Sequence, residues 1–198
     1  MTDWEDQYRR SETPWDKGGP HPELVDFLSR QPLSGRILVP GCGFGYDVAA
    51  IAAAGAVDDV VGLDIAPSAV AETSRRLADV PNVHILQGDL FALPREHRGA
   101  YDWVFEHTCF CAIDPSRRNA YVQSVADTLR PGAHLLAIFY LRPWEDGEDP
   151  RKGPPFGVTE AELDARFAPR FEIVRTAPVT ATYPGREGRE QLRLLRKT

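Results

Sequence analysis

Arg36-Ile-Leu-Val-Pro-Gly-Cys-Gly-Phe-Gly-Tyr-Asp47 holds the turn on which the architecture of the chain depends. Ile37, Leu38, Val39 and Pro40 form a short apolar run that reads as a buried strand, and Gly41, Gly43 and Gly45 follow at alternate positions. Val48-Ala-Ala-Ile-Ala-Ala-Ala-Gly55 then predicts a helix of small residues. Strand, glycine turn and helix make the first half of a nucleotide-binding βαβ unit. The glycines let the backbone turn tightly and let a ligand lie against bare main chain. Glycine-rich turns also occur for purely steric reasons, so the ligand must be argued from the rest of the chain.

Downstream, Asp59-Val-Val-Gly-Leu-Asp64 reads as a second buried strand ending on a carboxylate. A helix opened by Ala66-Pro-Ser follows, with Ala69, Val70, Thr73 and Leu77 on one face. Asp64 lies about twenty residues past the glycine turn, where a doubly wound fold places an acid that accepts the ribose hydroxyls of an adenosine cofactor. The alternative for such an acid is a helix N-cap. Asn82 to Leu90 gives a third strand ending in Gly88-Asp89, and Tyr101 to Glu106 a fourth, leading into His107-Thr-Cys-Phe-Cys-Ala-Ile113. Pro115 to Leu129 predicts a helix stopped by Arg130-Pro-Gly132, and Ala133 to Tyr140 a fifth strand. Pro143 to Pro155 is dense in proline, glycine and acid and reads as an exposed loop. Thr159-Glu-Ala-Glu162 is a capping box opening a helix through Phe167. Phe171 to Thr182 and Glu190 to Lys197 read as closing strands joined across Pro184-Gly-Arg-Glu-Gly188.

Strands alternating with helices demand a mostly parallel sheet with right-handed crossovers. Two last strands joined by a short connection must pair antiparallel. The expected fold is therefore an α/β, doubly wound, seven-stranded sheet with a reversed final strand. At 198 residues it is expected to form one domain. Residues 1–35 precede the core as an arm, in which Trp4, Tyr8 and Trp15 are spread through polar, loop-prone sequence before a short helix from Glu23 to Ser29. Three large aromatics need a surface to cover, either as a staple on the domain or as a lid beside the glycine turn.

The formal net charge of -6 argues against a nucleic-acid or anionic-membrane partner. No apolar run approaches a membrane span, the N-terminus lacks a basic-then-apolar signal pattern, and three cysteines make no disulfide framework. A cytoplasmic protein with a small-molecule substrate, monomeric or weakly dimeric, is expected.

A nicotinamide dehydrogenase would carry Gly-x-Gly-x-x-Gly, with its third glycine on the helix. Here the spacing is Gly41-x-Gly43-x-Gly45, followed by Tyr46 and Asp47, and no Tyr-x-x-x-Lys pair supplies a hydride site. A parallel sheet with a reversed last strand resembles the class I methyltransferases. More narrowly, Trp4, Thr13-Pro-Trp-Asp-Lys-Gly18, Val39-Pro-Gly-Cys-Gly43, Tyr46-Asp47, Gly62-Leu-Asp64, Phe110-Cys-Ala-Ile113 and Gly153-Pro-Pro-Phe156 resemble the halide/thiol methyltransferases of the thiopurine methyltransferase superfamily. The match runs from residue 4 to the end.

That resemblance implies S-adenosylmethionine as cofactor. Gly41, Gly43 and Gly45 would approach its amino-acid end, Asp64 with Ile65 its ribose, and Asp89 and Leu90 its adenine. Glu106 and His107 would lie beside it after the fourth strand. It also implies that the arm folds over the cofactor, with Trp4 and Trp15 shielding it and Tyr8 alongside. The chain departs from plant relatives at Tyr8, where they carry a second Trp, and at His107, where many superfamily members place Tyr or Arg.

Methyl transfer from a sulfonium is an in-line displacement governed by proximity, orientation and desolvation of the nucleophile. A small soft acceptor (thiol, bisulfide, thiocyanate or halide) needs no strong base, in keeping with the lack of a paired-carboxylate or Ser-His-Asp constellation. A larger aromatic or natural-product thiol, a chalcogen oxyanion, and a non-catalytic cofactor-binding module are the alternatives. Tyr140 matches a family tyrosine near the nucleophile and is a candidate to hydrogen-bond the acceptor; a strand-end structural role is its alternative. His107 is a candidate base for a thiol, since histidine exchanges protons near neutral pH, or a cofactor contact. Cys109 and Cys111 read as small buried hydrophobes, because no matching ligand set for a metal accompanies them. His21, between Pro20 and Pro22, reads as a loop residue rather than a ligand.

Overall fold

The computed structural model describes residues 2–55, 57–145, 147–149 and 152–198. Asp146, Pro150 and Arg151 of the expected loop lie outside the described residues.

Seven strands form one sheet in the order β3-β2-β1-β4-β5-β7-β6. They are β1 (Gly35–Pro40), β2 (Val57–Asp64), β3 (Val83–Gln87), β4 (Tyr101–His107), β5 (Leu129–Tyr140), β6 (Phe171–Pro178) and β7 (Glu190–Lys197). The first five pair in parallel, and β7 runs antiparallel to both β5 and β6. The helices are α1 (Trp4–Arg9), α2 (Pro22–Arg30), α3 (Tyr46–Ala53), α4 (Pro67–Arg76), α5 (Arg118–Thr128) and α6 (Glu160–Phe167). This is the expected doubly wound fold with a reversed last strand.

Side chains alternate across the pleat, so each central strand feeds two cores. Leu38, Val104, Leu135, Ala137 and Phe139 face α5 and α6, meeting Tyr121, Val122, Val125, Leu163 and Phe167. Ile37, Val39, Phe105, Leu136 and Ile138 face the other way, meeting Leu24, Phe27 and Leu28 of α2 and Val48 and Ile51 of α3. A sheet covered on both faces explains why its strands read as continuous apolar runs.

Three boundaries differ from expectation. A single 3-10 turn at Pro115–Arg117 precedes α5, and β5 starts at Leu129 rather than after the Arg130-Pro-Gly132 breaker. Leu129 already pairs with Tyr101, and a register shift between Tyr101 and Trp103 absorbs the breaker. The sixth strand stops at Pro178, four residues short of the apolar pattern.

The chain winds outward from β1 to β3, then crosses back to β4. The crevice at the carboxyl ends of β1 and β4 is thus the switch point where doubly wound folds bind ligands.

Candidate active site

The glycine turn leaves β1 at that crevice. Gly45 caps α3 with a left-handed φ of 76°, and a Cβ there would run into the Thr73 methyl of α4. Gly43, at φ 53°, lies under the Tyr8 hydroxyl, which would stand 3.2 Å from an added Cβ. Gly41 lines the same cleft. The turn is tied to β2 by Asp64, whose Oδ2 accepts from Gly43 N–H at 2.9 Å and whose Oδ1 accepts from Ala66 N–H at 2.9 Å. Each carboxylate oxygen therefore keeps a lone pair for a hydroxyl, the donor arrangement of a ribose diol. Burial pushes the Asp64 carboxyl above its ordinary range, against the pull of these N–H donors.

The N-terminal arm lies directly over the turn. Trp4 and Tyr8 meet Trp15 edge-on at 5.4 and 5.6 Å between ring centroids, and Tyr8 meets Phe44 of the turn at 5.3 Å. Trp15 Nε1–H donates to the Tyr8 hydroxyl at 3.3 Å. One acid fastens α1 to the scaffold: Glu5 accepts from Ser68 N–H and from Ser68 Oγ–H, at 2.9 and 2.6 Å, in the first turn of α4. No side chain of α1 is buried, so α1 rests on the domain by aromatic edges and this clasp.

Opposite the arm stands a buried polar wall. Asp47, in the first turn of α3, accepts from His21 N–H at 2.8 Å through Oδ1 and pairs with His107 Nδ1 at 2.9 Å through Oδ2. Burial raises the Asp47 carboxyl, but the His107 ring and the His21 N–H outweigh it and hold it below its ordinary value. The His107 side chain is 9% exposed and sits at the end of β4. Its Nε2 is buried and meets no hydrogen-bond partner. The His21 ring packs edge-on against it at 4.6 Å, and Tyr183 stacks on it at 6.0 Å. With Trp15, Lys17, Gly41, Gly43, Phe44, Asp47 and Tyr183, His107 lines a narrow cleft of about 50 Å³.

His21 is thus not the loop residue expected. It is fully buried and caps α2, its Nδ1 accepting from Glu23 N–H at 3.1 Å. That donor keeps the proton on Nε2, which donates to Glu190 Oε2 at 3.1 Å. Glu190 also accepts from Arg186 at 3.0 Å and from the Thr182 hydroxyl. Burial opposes the charge, but these donors bring the Glu190 carboxyl down to about 2. His21, Glu190 and His107 bring one potential metal-ligand atom each within 4.8 Å of one another. The set is a poor cation site nonetheless. Ligation by His21 Nε2 would require Nδ1 to carry the proton, toward a backbone donor, and Arg186 already neutralises Glu190.

The other expected residues fall as follows. Asp89 caps the turn after β3, accepting from Phe91 N–H at 2.9 Å, and Leu90 is buried behind it. Ile65 is about half exposed beside Asp64. Glu106 is buried under the wall, bonded to Phe110 N–H at 2.7 Å and to the Tyr121 hydroxyl, and burial lifts its carboxyl to about 7. It does not line the cleft. Tyr140 does not line it either: Arg186 lies 4.5 Å above its ring, and its register partner is Glu190. Cys42, Cys109 and Cys111 are free thiols, with burial pushing Cys111 up to about 12. Asp47, His21, Tyr183 and Glu190 were not expected in the site. The signal for His21 was Pro22, which suits the first residue of a helix and so marks His21 as a cap.

A family model described as Thiopurine S-methyltransferase matches residues 1–194. The Arabidopsis thaliana proteins named "Probable thiol methyltransferase 2" and "Thiocyanate methyltransferase 1" are each 33% identical, the alignments covering 96% of this chain and 82% of the relative. A thiopurine S-methyltransferase from Nitrosospira multiformis is 27% identical, over 86% of this chain and 82% of its own. Among solved structures, one from work on converting a disulfide into a thioacetal in echinomycin biosynthesis superposes with a TM-score of 0.81 at 22% identity, covering 100% of this chain and 91% of that one. The Burkholderia thailandensis 1,6-didemethyltoxoflavin-N1-methyltransferase, solved with bound S-adenosylhomocysteine, gives 0.75 at 19% identity, covering 99% and 86%. At those identities the two structures speak for the fold. The glycine turn and Asp64 suit the cofactor that such enzymes use, and the whole-chain match completes the assignment: the chain belongs to the thiopurine S-methyltransferase family and is an S-adenosylmethionine-dependent methyltransferase.

Proposed function

We propose that this enzyme methylates a small soft nucleophile, in the class of thiols, bisulfide, thiocyanate and halides. The observation that carries the reading is the aromatic arm closed over a narrow cleft beside the glycine turn. Aromatic faces attract a sulfonium by about 0.5–2 kcal/mol and exclude the water that would otherwise solvate a soft anion. The names of the two Arabidopsis relatives point the same way.

S-adenosylmethionine, when bound, supplies the activated methyl group. On this reading Gly41, Gly43 and Gly45 bring bare main chain to its amino-acid end. Asp64 takes the ribose hydroxyls, with Ile65, Asp89 and Leu90 toward the base. Trp4, Tyr8 and Trp15 form a lid; because Tyr8 rests on Gly43, admitting a cofactor of this size requires the arm to lift.

The test is to incubate enzyme and cofactor with bisulfide, thiocyanate, iodide, an alkyl thiol and an aryl thiol. Methylated volatiles and S-adenosylhomocysteine are then quantified. Turnover of the small acceptors with little of the aryl thiol is the expected result. Turnover of none removes the acceptor class, and preference for the aryl thiol replaces it with a larger one.

A further inference from the structure

The polar wall contains one group whose chemistry is unspent. His107 Nε2 is buried beside the cleft without a partner, in a molecule that satisfies almost every other buried side-chain polar atom among the described residues. Leaving such a nitrogen unpaired costs about 1–3 kcal/mol, so it points to a donor that arrives with the substrate.

Which nitrogen carries the proton is decided by Asp47. Its Oδ1 is held by His21 N–H, and its Oδ2 faces His107 Nδ1. A carboxylate below its ordinary pKa range accepts and does not donate, so the His107 proton sits on Nδ1 and Nε2 presents a lone pair. The other ionisable groups around the ring leave that lone pair alone. Glu190 on β7 is spent on His21, Arg186 and Thr182, and Glu106 on Phe110 and Tyr121. The Tyr183 hydroxyl donates to Gly19 O at 2.8 Å, and Asp16 and Lys17 line the cleft without a hydrogen bond to His107 Nε2. His21 is pinned by its own cap and cannot swing toward His107.

Thiocyanate and halides carry no proton, and a base does nothing for them. A thiol, with an ordinary pKa near 8.5, is only a few per cent ionised at neutral pH and needs one. We infer that His107 is a general base with Asp47 as its positioning residue, and that the acceptor is an alkyl thiol that arrives with its proton. This rests on the reading of the enzyme as a methyltransferase for small soft nucleophiles, and it selects the protonated members of that class. The S–H proton passes to His107 Nε2, and the imidazolium is stabilised across Nδ1 by the Asp47 carboxylate. The thiolate sulfur forms its bond to the methyl carbon as the sulfonium C–S bond breaks, its electron pair staying on the departing sulfur. The proton then leaves His107 for solvent.

The test compares 2-mercaptoethanol with thiocyanate in wild type, Asp47→Asn and His107→Gln, from pH 6.5 to 9. In Asp47→Asn the amide oxygen must serve His21 N–H. The amide NH₂ then faces His107 Nδ1 and drives the ring proton onto Nε2. The thiol-to-thiocyanate rate ratio should fall at least about tenfold at pH 7 in both variants, the low end of what a positioned base contributes. The gap should narrow toward pH 9, where the thiol ionises unaided. Independently of turnover, ¹⁵N NMR of the cofactor-free protein should show His107 protonated on Nδ1 in wild type and on Nε2 in Asp47→Asn. An unchanged acceptor ratio, or wild-type His107 already protonated on Nε2, overturns the base assignment while the acceptor class stands. Wild-type turnover of neither compound removes the acceptor class and the base with it.

Discussion

The two sides of the cleft are built to opposite specifications. The arm side is aromatic and shallowly seated, held by ring edges and one carboxylate on Ser68. The far side is polar, buried and cross-linked: Glu190 joins His21 to Thr182 and Arg186 of the connection before β7, and Asp47 ties the arm's exit at His21 to the end of β4. A site that must admit a large cofactor needs a wall that lifts. A site that orders a proton and a nucleophile within tenths of an ångström needs one that does not.

The largest effect should come at the carboxylate that holds the glycine turn. Asp64→Ala removes the carboxylate proposed to take the ribose and frees the Gly43 N–H, and calorimetry should show cofactor affinity weakened by roughly 100-fold or more, from two charge-assisted hydrogen bonds. Unchanged affinity would place the ribose elsewhere.

Next is the rigid wall. Glu190→Gln leaves Arg186 and His21 without their buried counter-charge and should lower stability by about 2–4 kcal/mol at pH 7, read by denaturant unfolding. The pH dependence has a definite sign. Glu190 is brought down to about 2 in the fold, so its contribution is whole above its ordinary value of 4.5 and drains away as pH falls toward 2. His21, lowered by burial, loses stability below its ordinary 6.5 in the same direction. Glu106, raised to about 7, acts oppositely between pH 4.5 and 7. The difference between wild type and Glu190→Gln cancels that opposing contribution. It should therefore shrink on acidification below pH 4.5; a difference flat with pH would mean the carboxylate is not the group holding the wall.

The lid side should respond in binding rather than stability. Trp15→Ala should raise the cofactor dissociation constant by about 3–30-fold, the range of a cation–π contact, with a melting temperature little changed. A large drop in melting temperature with intact affinity would make the arm a staple instead. Smallest of all, Tyr140→Phe should change thiol kcat/KM by less than about threefold, since the ring lies under Arg186 and outside the cleft lining. A tenfold loss would return Tyr140 to the acceptor.

Much of this was legible in the residues. The alternation of apolar runs with helical patterns, and the short connection before Glu190, suffice for the sheet and its reversed strand, because both follow from local periodicity and loop length. The placement of the glycine turn and of Asp64 at the crevice was legible for the same reason: it depends on one turn and one strand end. The polar wall was not. His21 meets Glu190 across 169 positions and Asp47 meets His107 across 60, and no local pattern encodes a pairing made by the closing of a seven-stranded sheet. Glu106 shows the converse. Its place at the end of β4 suggested a ligand contact, yet the pleat turns it inward to Tyr121 and sends His107 to the cleft.

The Glu5 clasp on Ser68 has a kinetic consequence. It fastens α1 to the first turn of α4, which begins three residues beyond Asp64, so on the proposed reading the segment that takes the ribose also latches the arm. On the lid reading, cofactor must enter before the latch closes, whereas an acceptor of a few atoms can pass the remaining mouth. Such an enzyme runs an ordered reaction, cofactor first and demethylated cofactor last, with a turnover ceiling set by unlatching. S-adenosylhomocysteine would then inhibit competitively against S-adenosylmethionine and non-competitively against the thiol, and a random pattern of product inhibition would show that the latch does not govern exchange.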